Sequence, residues 1–139
     1  MAGYSGTPLP KKLGIKPDHL VALIDAPLGF DVTLGEIPIG VAVHSDLASR
    51  LPIDVIVLFT RSEEELRKRF KVAAKRLAPA GGLWIAWPKR ASGVATDLTE
   101  NAVRAIGLEA GLVDNKVCAV DETWSGLRFV IPLKDRPKK

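Results

Sequence analysis

One stretch of the chain, residues 77–89, constrains its fold more than any other. It reads Leu-Ala-Pro-Ala-Gly-Gly-Leu-Trp-Ile-Ala-Trp-Pro-Lys and follows a basic, helix-like segment. Pro79 and the Gly81-Gly82 pair do not continue a helix, and the apolar run after them is typical of a strand buried on both faces. A helix followed directly by such a strand is the building unit of a parallel α/β sheet. The stretch therefore predicts an α/β fold.

Further helices and strands alternate along the rest of the sequence. The segments Ser62–Glu65 and Asp97–Glu100 each place a capping residue three positions before a glutamate, the pattern of a capping box. We expect each segment to begin a helix, and we expect the second helix to end at Gly111. A short helix capped by Thr7 should end at Gly14. The predicted strands are 19–26, 41–45, 55–60, 82–87, 116–120 and 127–133, with a helical turn at 46–50.

The connections between these elements define the fold class. The last two strands are joined by too few residues for a crossover helix, so they should be antiparallel. We predict a single α/β domain over residues 17–133, with a three-layer, mostly parallel, Rossmann-like sheet and an antiparallel C-terminal hairpin. Residues 1–16 form an N-terminal segment that opens flexibly and contains the short helix, and residues 134–139 form a basic tail.

Composition limits the functional classes. The net charge of +4 raises the question of nucleic acid, but the cations are spread over the N-terminal segment, one helix and the tail. Nucleic-acid binding is therefore our third hypothesis. A single cysteine, Cys118, and the lack of a secretory signal predict a cytoplasmic protein, and no apolar run is long enough for a membrane span. His19 and His44 lack neighbours at metal-ligand spacing, so we expect no metal.

Three motifs resemble the class I methyltransferase fold. Residues 14–23 are similar to the start of that family's first strand, and residues 51–57 to the start of its fourth. Residues 77–82 are similar to the helix end that precedes its fifth strand. The resemblance implies a sheet whose last strand lies antiparallel between its neighbours, and a methyl donor bound at the first strand.

The loop after the first strand departs from that family. The family has a glycine-rich loop of the type G-x-G-x-G, against which the donor lies. This chain has Ala26-Pro27-Leu28 and a single glycine, Gly29. The interval between the first and fourth strands is also short. We therefore expect no bound cofactor, and S-adenosylmethionine is the cofactor that the alternative hypothesis below would require.

A second resemblance concerns the two ends of the chain. Residues 3–16, of the type YSGTPLxKKLGIK, and residues 121–130 are similar to a family of small bacterial proteins of unknown function. That resemblance implies no activity.

Several side chains should meet where the strands end, because open α/β sheets bind ligands at the carboxyl edge. Asp25 either contacts a ligand or caps the following loop. The tryptophan and the cations after the later strands either bind an anionic or planar ligand, or cover the core and remain solvated. Trp124 either contacts a partner protein or packs on a neighbouring helix. The ligand-binding candidates are Asp25, Thr60, Arg61, Trp87, Lys89 and Arg90.

These features lead to two main functional hypotheses. The first is a non-catalytic binding or regulatory module that keeps a methyltransferase-like scaffold without the donor loop, with an unidentified protein or a second copy as partner. The alternative is a small-molecule transferase, methyltransferase-like, with a pocket rebuilt around Asp25, Thr60 and Trp87. Fold alone does not decide between them.

Overall fold

The structure, a computed structural model, describes residues 7–137 and centres on a six-stranded sheet. The predicted flexible opening, residues 1–6, and the last two residues of the basic tail lie outside the described part. The helices are α1 (Leu9–Leu13), α2 (Phe30–Leu34), α3 (Glu63–Arg76) and α4 (Glu100–Glu109), with 3-10 turns at Arg90–Ser92 and Leu133–Asp135. The strands are β1 (Leu20–Ile24), β2 (Ala42–His44), β3 (Ile53–Phe59), β4 (Leu77–Pro88), β5 (Val113–Ala119) and β6 (Trp124–Val130).

The strand order is β2-β1-β3-β4-β6-β5. Strands β2, β1, β3 and β4 pair in parallel, whereas β6 pairs antiparallel with both β4 and β5. The last strand therefore lies between its two neighbours, as the sequence motifs implied. The predicted fold class, a mostly parallel α/β sheet with an antiparallel C-terminal hairpin, is confirmed.

Two apolar clusters fill the space on the two faces of the sheet. Helices α3 and α4 cover one face, where Phe70 stacks edge-to-face on Phe129 at 5.2 Å. The shorter α1 and α2 cover the other face, where Trp84 is buried. The indole N–H of Trp84 donates to the carbonyl oxygen of Leu13 at 3.0 Å, so the last residue of α1 is tied to the central strand.

Two glycines permit close approaches that a side chain would block. A Cβ on Gly81 would lie 2.6 Å from the carbonyl oxygen of Asp54, at the point where the β3–β4 register shifts. A Cβ on Gly107 of α4 would lie within 2.6 Å of three ring atoms of Phe129. The second glycine therefore sets how closely α4 packs on the sheet.

The N-terminal cap of α3 is the predicted residue, whereas the caps of α4 and α1 differ from the prediction. Ser62 begins α3 and accepts the Glu65 N–H, as predicted. The prediction for Asp97 is wrong: Thr99 caps α4 by accepting the Ala102 N–H, and Asp97 instead accepts the N–H of Glu63 at 2.8 Å. A long-range hydrogen bond has replaced the local cap. The prediction for Thr7 is also wrong, since the cap position of α1 is Pro8, which has no side-chain oxygen.

Strand boundaries differ from the predicted ones mainly at their starts. β4 begins at Leu77, directly after α3, because Leu77 pairs with Ile53 ahead of the bulge. β5 and β6 each begin three residues earlier than predicted, and residues 46–50 form bends instead of a helical turn. Among residues 7–137, no helix has the length and apolar character needed to cross a lipid bilayer.

Candidate functional site

The crevice between β1 and β3 is the place where this topology opens a binding site. From β1 the chain runs to β2 on one side, and it then returns to β3 on the other side. This reversal is a topological switch point, where the loops after the two strands diverge and leave a crevice at the carboxyl ends. A ligand site is therefore expected between the loops that follow Ile24 and Phe59.

A cavity of about 580 Å³ lies at this point, and we call it the switch-point cleft. Its volume is within the range of roughly 300–1,000 Å³ usual for small-molecule sites. One wall is apolar and aromatic, and the other carries carboxylates, hydroxyls and a guanidinium. The lining residues are Asp25, Pro27, Phe59, Thr60, Arg61, Ser62, Glu65, Val94 and Trp124.

Asp25 adopts a left-handed backbone conformation, with φ of 57°, directly after β1. Aspartate tolerates this region better than most residues. Its half-exposed carboxylate forms an ion pair with Arg69 of α3, which also pairs with Glu65 at 3.2 Å. The carboxylate of Asp25 is thus held by a helix on the other side of the cleft, and this ion pair takes the place of the loop cap that we weighed.

Thr60 and Arg61 continue from β3 into the cleft. Thr60 is 4% exposed, and its hydroxyl lies 3.4 Å from the N–H and the carbonyl oxygen of Ser62, which fixes the turn into α3. The carbonyl oxygen of Arg61 accepts the hydroxyl of Thr96 at 2.6 Å. Within residues 7–137, the Arg61 guanidinium forms no ion pair, so its charge is available to a ligand.

The apolar wall contains two aromatic rings, Phe59 and Trp124, which belong to a row of three. Phe59 packs edge-to-face against Phe30 at 4.9 Å and against Trp124 at 5.1 Å. Trp124 begins β6, and its backbone N–H donates to Asp121. The indole is half-buried, so it both packs on the sheet and presents part of its surface to the cleft. Its ring contact is with Phe59 of β3, and it packs against the apolar cluster that α1 and α2 cover.

The remaining candidates lie in a second cavity, of about 500 Å³, which we call the basic cavity. Trp87 is 5% exposed and belongs to the core under α3 and α4, so only its edge borders this space. Lys89 and Arg90 follow it and line the same cavity. Val94 lines both cavities and separates them. The six candidates therefore divide into two adjacent groups, with Asp25, Thr60 and Arg61 in one and Trp87, Lys89 and Arg90 in the other.

Sequence reasoning did not name several residues that line or support the switch-point cleft. Glu65 and Arg69 lie four apart on α3, a spacing that predicts an ion pair but does not reveal its contact with Asp25. Phe59 and Val94 are apolar residues, which the sequence alone does not distinguish from other core residues. Their place in the cleft becomes evident only from the topology of the sheet.

A larger cavity, of about 800 Å³, lies between α1, the end of α2 and the turn at 120–123, and it contains none of the candidates. Among residues 7–137, no group of three or more His, Cys, Asp or Glu side chains is placed to hold a metal ion.

The fold of this chain is similar to that of several solved structures. The chain is similar to a SAM-dependent methyltransferase from Aquifex aeolicus (20% identity, 86% of this chain and 85% of that chain, TM-score 0.61). It is also similar to the Methanococcus jannaschii fibrillarin pre-rRNA processing protein (13% identity, 93% and 70%, TM-score 0.63). The fold is methyltransferase-like. A third similar structure is the magnesium protoporphyrin IX methyltransferase of Synechocystis PCC 6803 with bound SAM (12%, 83% and 71%, TM-score 0.56).

Sequence comparison adds nothing to this result: no family model matches the chain, and no curated protein matches it. At these identities the structural likeness shows the fold alone.

Proposed function

We propose that this protein binds S-adenosylmethionine in the switch-point cleft and acts as a small-molecule methyltransferase. The observation that supports this most is the position of the cleft. A cavity with an aromatic wall and a charged wall lies at the switch point of a methyltransferase-like sheet.

The residues of the cleft fit the chemical groups of this donor. The donor carries a nucleoside, a positively charged sulfur, an ammonium group and a carboxylate. The half-buried indole of Trp124, beside the buried Phe59, offers ring surface for the nucleoside and the cationic sulfur, and Arg61 can pair with the carboxylate. The carboxylates of Asp25 and Glu65 can accept from the ammonium group.

The loop after β1 borders the cleft at Asp25 and Pro27. Gly29 has a φ of 83° and caps α2, and it is not among the residues that line the cleft. Pro27, by contrast, places its ring in the cleft. The loop thus differs from the glycine-rich type at residues 26–28, but it does not close the cavity.

The chain's own residues would position the reactants. When bound, S-adenosylmethionine would supply a methyl group activated by a positively charged sulfur for transfer to a lone pair of the acceptor. Arg69 holds Asp25 and Glu65 in place, and Trp124 and Val94 shield the cleft from water. Both carboxylates are already paired with a guanidinium, so we expect the rate to come from the orientation of the two reactants.

One observation favours a second candidate, the non-catalytic binding module. Side chains of residues 26–28 occupy the loop where the methyltransferase family has bare backbone, and Asp25 already has a partner in Arg69. In that case the cleft would hold a different small molecule or no ligand. Native mass spectrometry of freshly purified protein would then show a retained ligand of another mass, or a stable dimer.

Thermal unfolding with S-adenosylmethionine and with S-adenosylhomocysteine tests the proposal. A ligand at 100 times its Kd stabilises the native state by about 2.7 kcal/mol, which corresponds to a rise in Tm of about 8 °C for a domain of this size. Tryptophan fluorescence should change as well, because Trp124 lines the cleft while Trp84 and Trp87 are buried. The fluorescence change should disappear in Trp124→Phe.

Two matched variants locate the site. Asp25→Asn keeps the shape and tolerates the left-handed backbone, and it should weaken binding by about tenfold, the loss of one charge-assisted hydrogen bond. Asp31→Asn makes the same change on an exposed carboxylate of α2 outside the cleft, and it should bind as the unmodified protein does. No change in Tm or fluorescence at millimolar donor, with the fold intact, would leave the second candidate as the better explanation.

A further inference from the structure

The basic cavity lies beside the switch-point cleft at the same edge of the sheet. The cleft follows β1 and β3, and the basic cavity follows β4, the next strand. Val94, in the loop between β4 and α4, is the residue that lines both. The two cavities are therefore adjacent and share one wall residue.

The loop that forms this shared wall is held at both ends. The backbone N–H of Lys89 donates to Thr123 at 2.7 Å, and the hydroxyl of Thr96 donates to Arg61 at 2.6 Å. Asp97 accepts the N–H of Glu63. These bonds connect the loop to the β5–β6 turn and to the start of α3, so the two cavities keep a fixed relation to each other.

The charges in the basic cavity are not balanced. Lys89 and Arg90 supply two cations, and among residues 7–137 neither side chain forms an ion pair or a hydrogen bond. Of the two acids of the cavity, Glu100 is paired with Arg104 at 2.7 Å, whereas Asp97 accepts a backbone N–H at 2.8 Å and keeps its negative charge. The two cations therefore outnumber the one carboxylate that has no cationic partner, and the lining keeps an excess of positive charge.

The rest of the lining suits an anion as well. Thr99 caps α4, so the N-terminus of a ten-residue helix, with its partial positive charge, borders the cavity. The edge of Trp87 and Leu98 give an apolar surface on which a flat or short apolar body can lie.

We propose that the basic cavity binds the acceptor of the transferase, and that the acceptor is a small molecule carrying an oxyanion, either a carboxylate or a phosphate. This inference rests on the proposed function for the role of acceptor. The oxyanion would pair with Lys89 and Arg90, and the rest of the molecule would extend past Val94 toward the switch-point cleft.

Titration of the ¹⁵N-labelled protein with benzoate, and separately with inorganic phosphate, tests the inference by NMR. Both titrations are repeated with saturating S-adenosylhomocysteine. We expect the amide signals of Val94, Thr99 and Glu100 to shift with at least one of the two anions. Shifts with benzoate alone indicate a carboxylate acceptor, and shifts with phosphate alone indicate a phosphorylated one.

A matched pair of double variants provides the control. Lys89→Gln with Arg90→Gln should raise the Kd of the anion by about tenfold or more, the loss expected from charge-assisted hydrogen bonds. Lys75→Gln with Arg76→Gln removes the same charge from adjacent, exposed positions at the end of α3, and the Kd should stay within about twofold. Equal weakening in both double variants would show a net-charge effect and overturn the inference, as would the absence of shifts around Val94.

Binding of S-adenosylhomocysteine, measured in the same samples, separates this inference from the proposed function. It should be unchanged in both double variants. If it fails in the unmodified protein, the proposed function is contradicted, and with it the role of acceptor. If it succeeds and neither anion binds near Val94, only the present inference is overturned.

Discussion

Replacement of Gly107 by alanine tests how closely α4 packs on the sheet. Alanine is the better helix former by about 1 kcal/mol, so helix propensity alone predicts a more stable protein. Packing predicts the opposite. The new Cβ would lie within 2.6 Å of three atoms of the Phe129 ring, so the ring or the helix must move by roughly 1 Å to restore an ordinary contact.

Phe129 has little room to move, because it is fully buried and also packs edge-to-face on Phe70. Overpacking of this kind costs about 1–3 kcal/mol, and with both neighbours fixed we expect a value near the upper end. After the gain in propensity is subtracted, Gly107→Ala should destabilise the protein by about 2 kcal/mol and lower Tm by about 6 °C. Urea unfolding gives the free energy directly.

The control is Ala105→Gly, at an exposed position of the same helix, which should cost about 1 kcal/mol through propensity alone. Phe129→Leu combined with Gly107→Ala should be less destabilising than the two single changes added together, because the smaller side chain relieves the clash. A Gly107→Ala protein as stable as the unmodified one, or more stable, would refute the packing argument.

Three further predictions concern single contacts. Ser62→Ala removes the cap of α3 and should lower the free energy of unfolding by about 1 kcal/mol. Urea titration measures this free energy, and a loss of less than about 0.3 kcal/mol would contradict the prediction. Asp54→Ala removes the carboxylate that accepts the Leu20 N–H at 2.8 Å, and we expect a loss of about 1.5–3 kcal/mol in the same assay. Burial raises the pKa of the Cys118 thiol, so alkylation by iodoacetamide at pH 8.5 should be slower in the native than in the urea-unfolded protein, and equal rates would count against the burial. The raised pKa means that the folded protein favours the neutral thiol. The free energy of unfolding is therefore unaffected by this group below pH about 8.5, the pKa of a free thiol, and it falls as the pH rises from there through the higher native pKa.

Local signals predicted the parallel part of the sheet well. The run from Val55 to Phe59 and the run from Leu83 to Trp87 are apolar throughout. Such runs are typical of strands buried on both faces, which occur mainly at the centre of a parallel sheet. The short connection between the last two strands predicted an antiparallel pair without any knowledge of tertiary contacts.

Long-range contacts decided the features that the sequence did not reveal. Asp97 is of a residue type typical of helix caps, but its carboxylate accepts a hydrogen bond from the backbone N–H of Glu63, the first residue of a different helix. Asp25 follows β1 and Trp87 lies near the end of β4, at the same edge of the sheet. They nevertheless line different cavities, because the loop carrying Val94 passes between them. Nothing in the spacing of these residues along the chain specifies the path of that loop.

The position of β6 between β4 and β5 has a consequence for folding during synthesis. β6 is the last strand to be made, and within the described residues it is the partner of β5 and of the outer edge of β4. Until it emerges, β5 has no place in the sheet, and β4 exposes an edge whose central residues, Leu83–Ala86, are all fully buried in the finished protein. Unpaired apolar edges readily join the strands of other chains. The interval between the synthesis of β4 and that of β6 is thus when this protein is most open to aggregation.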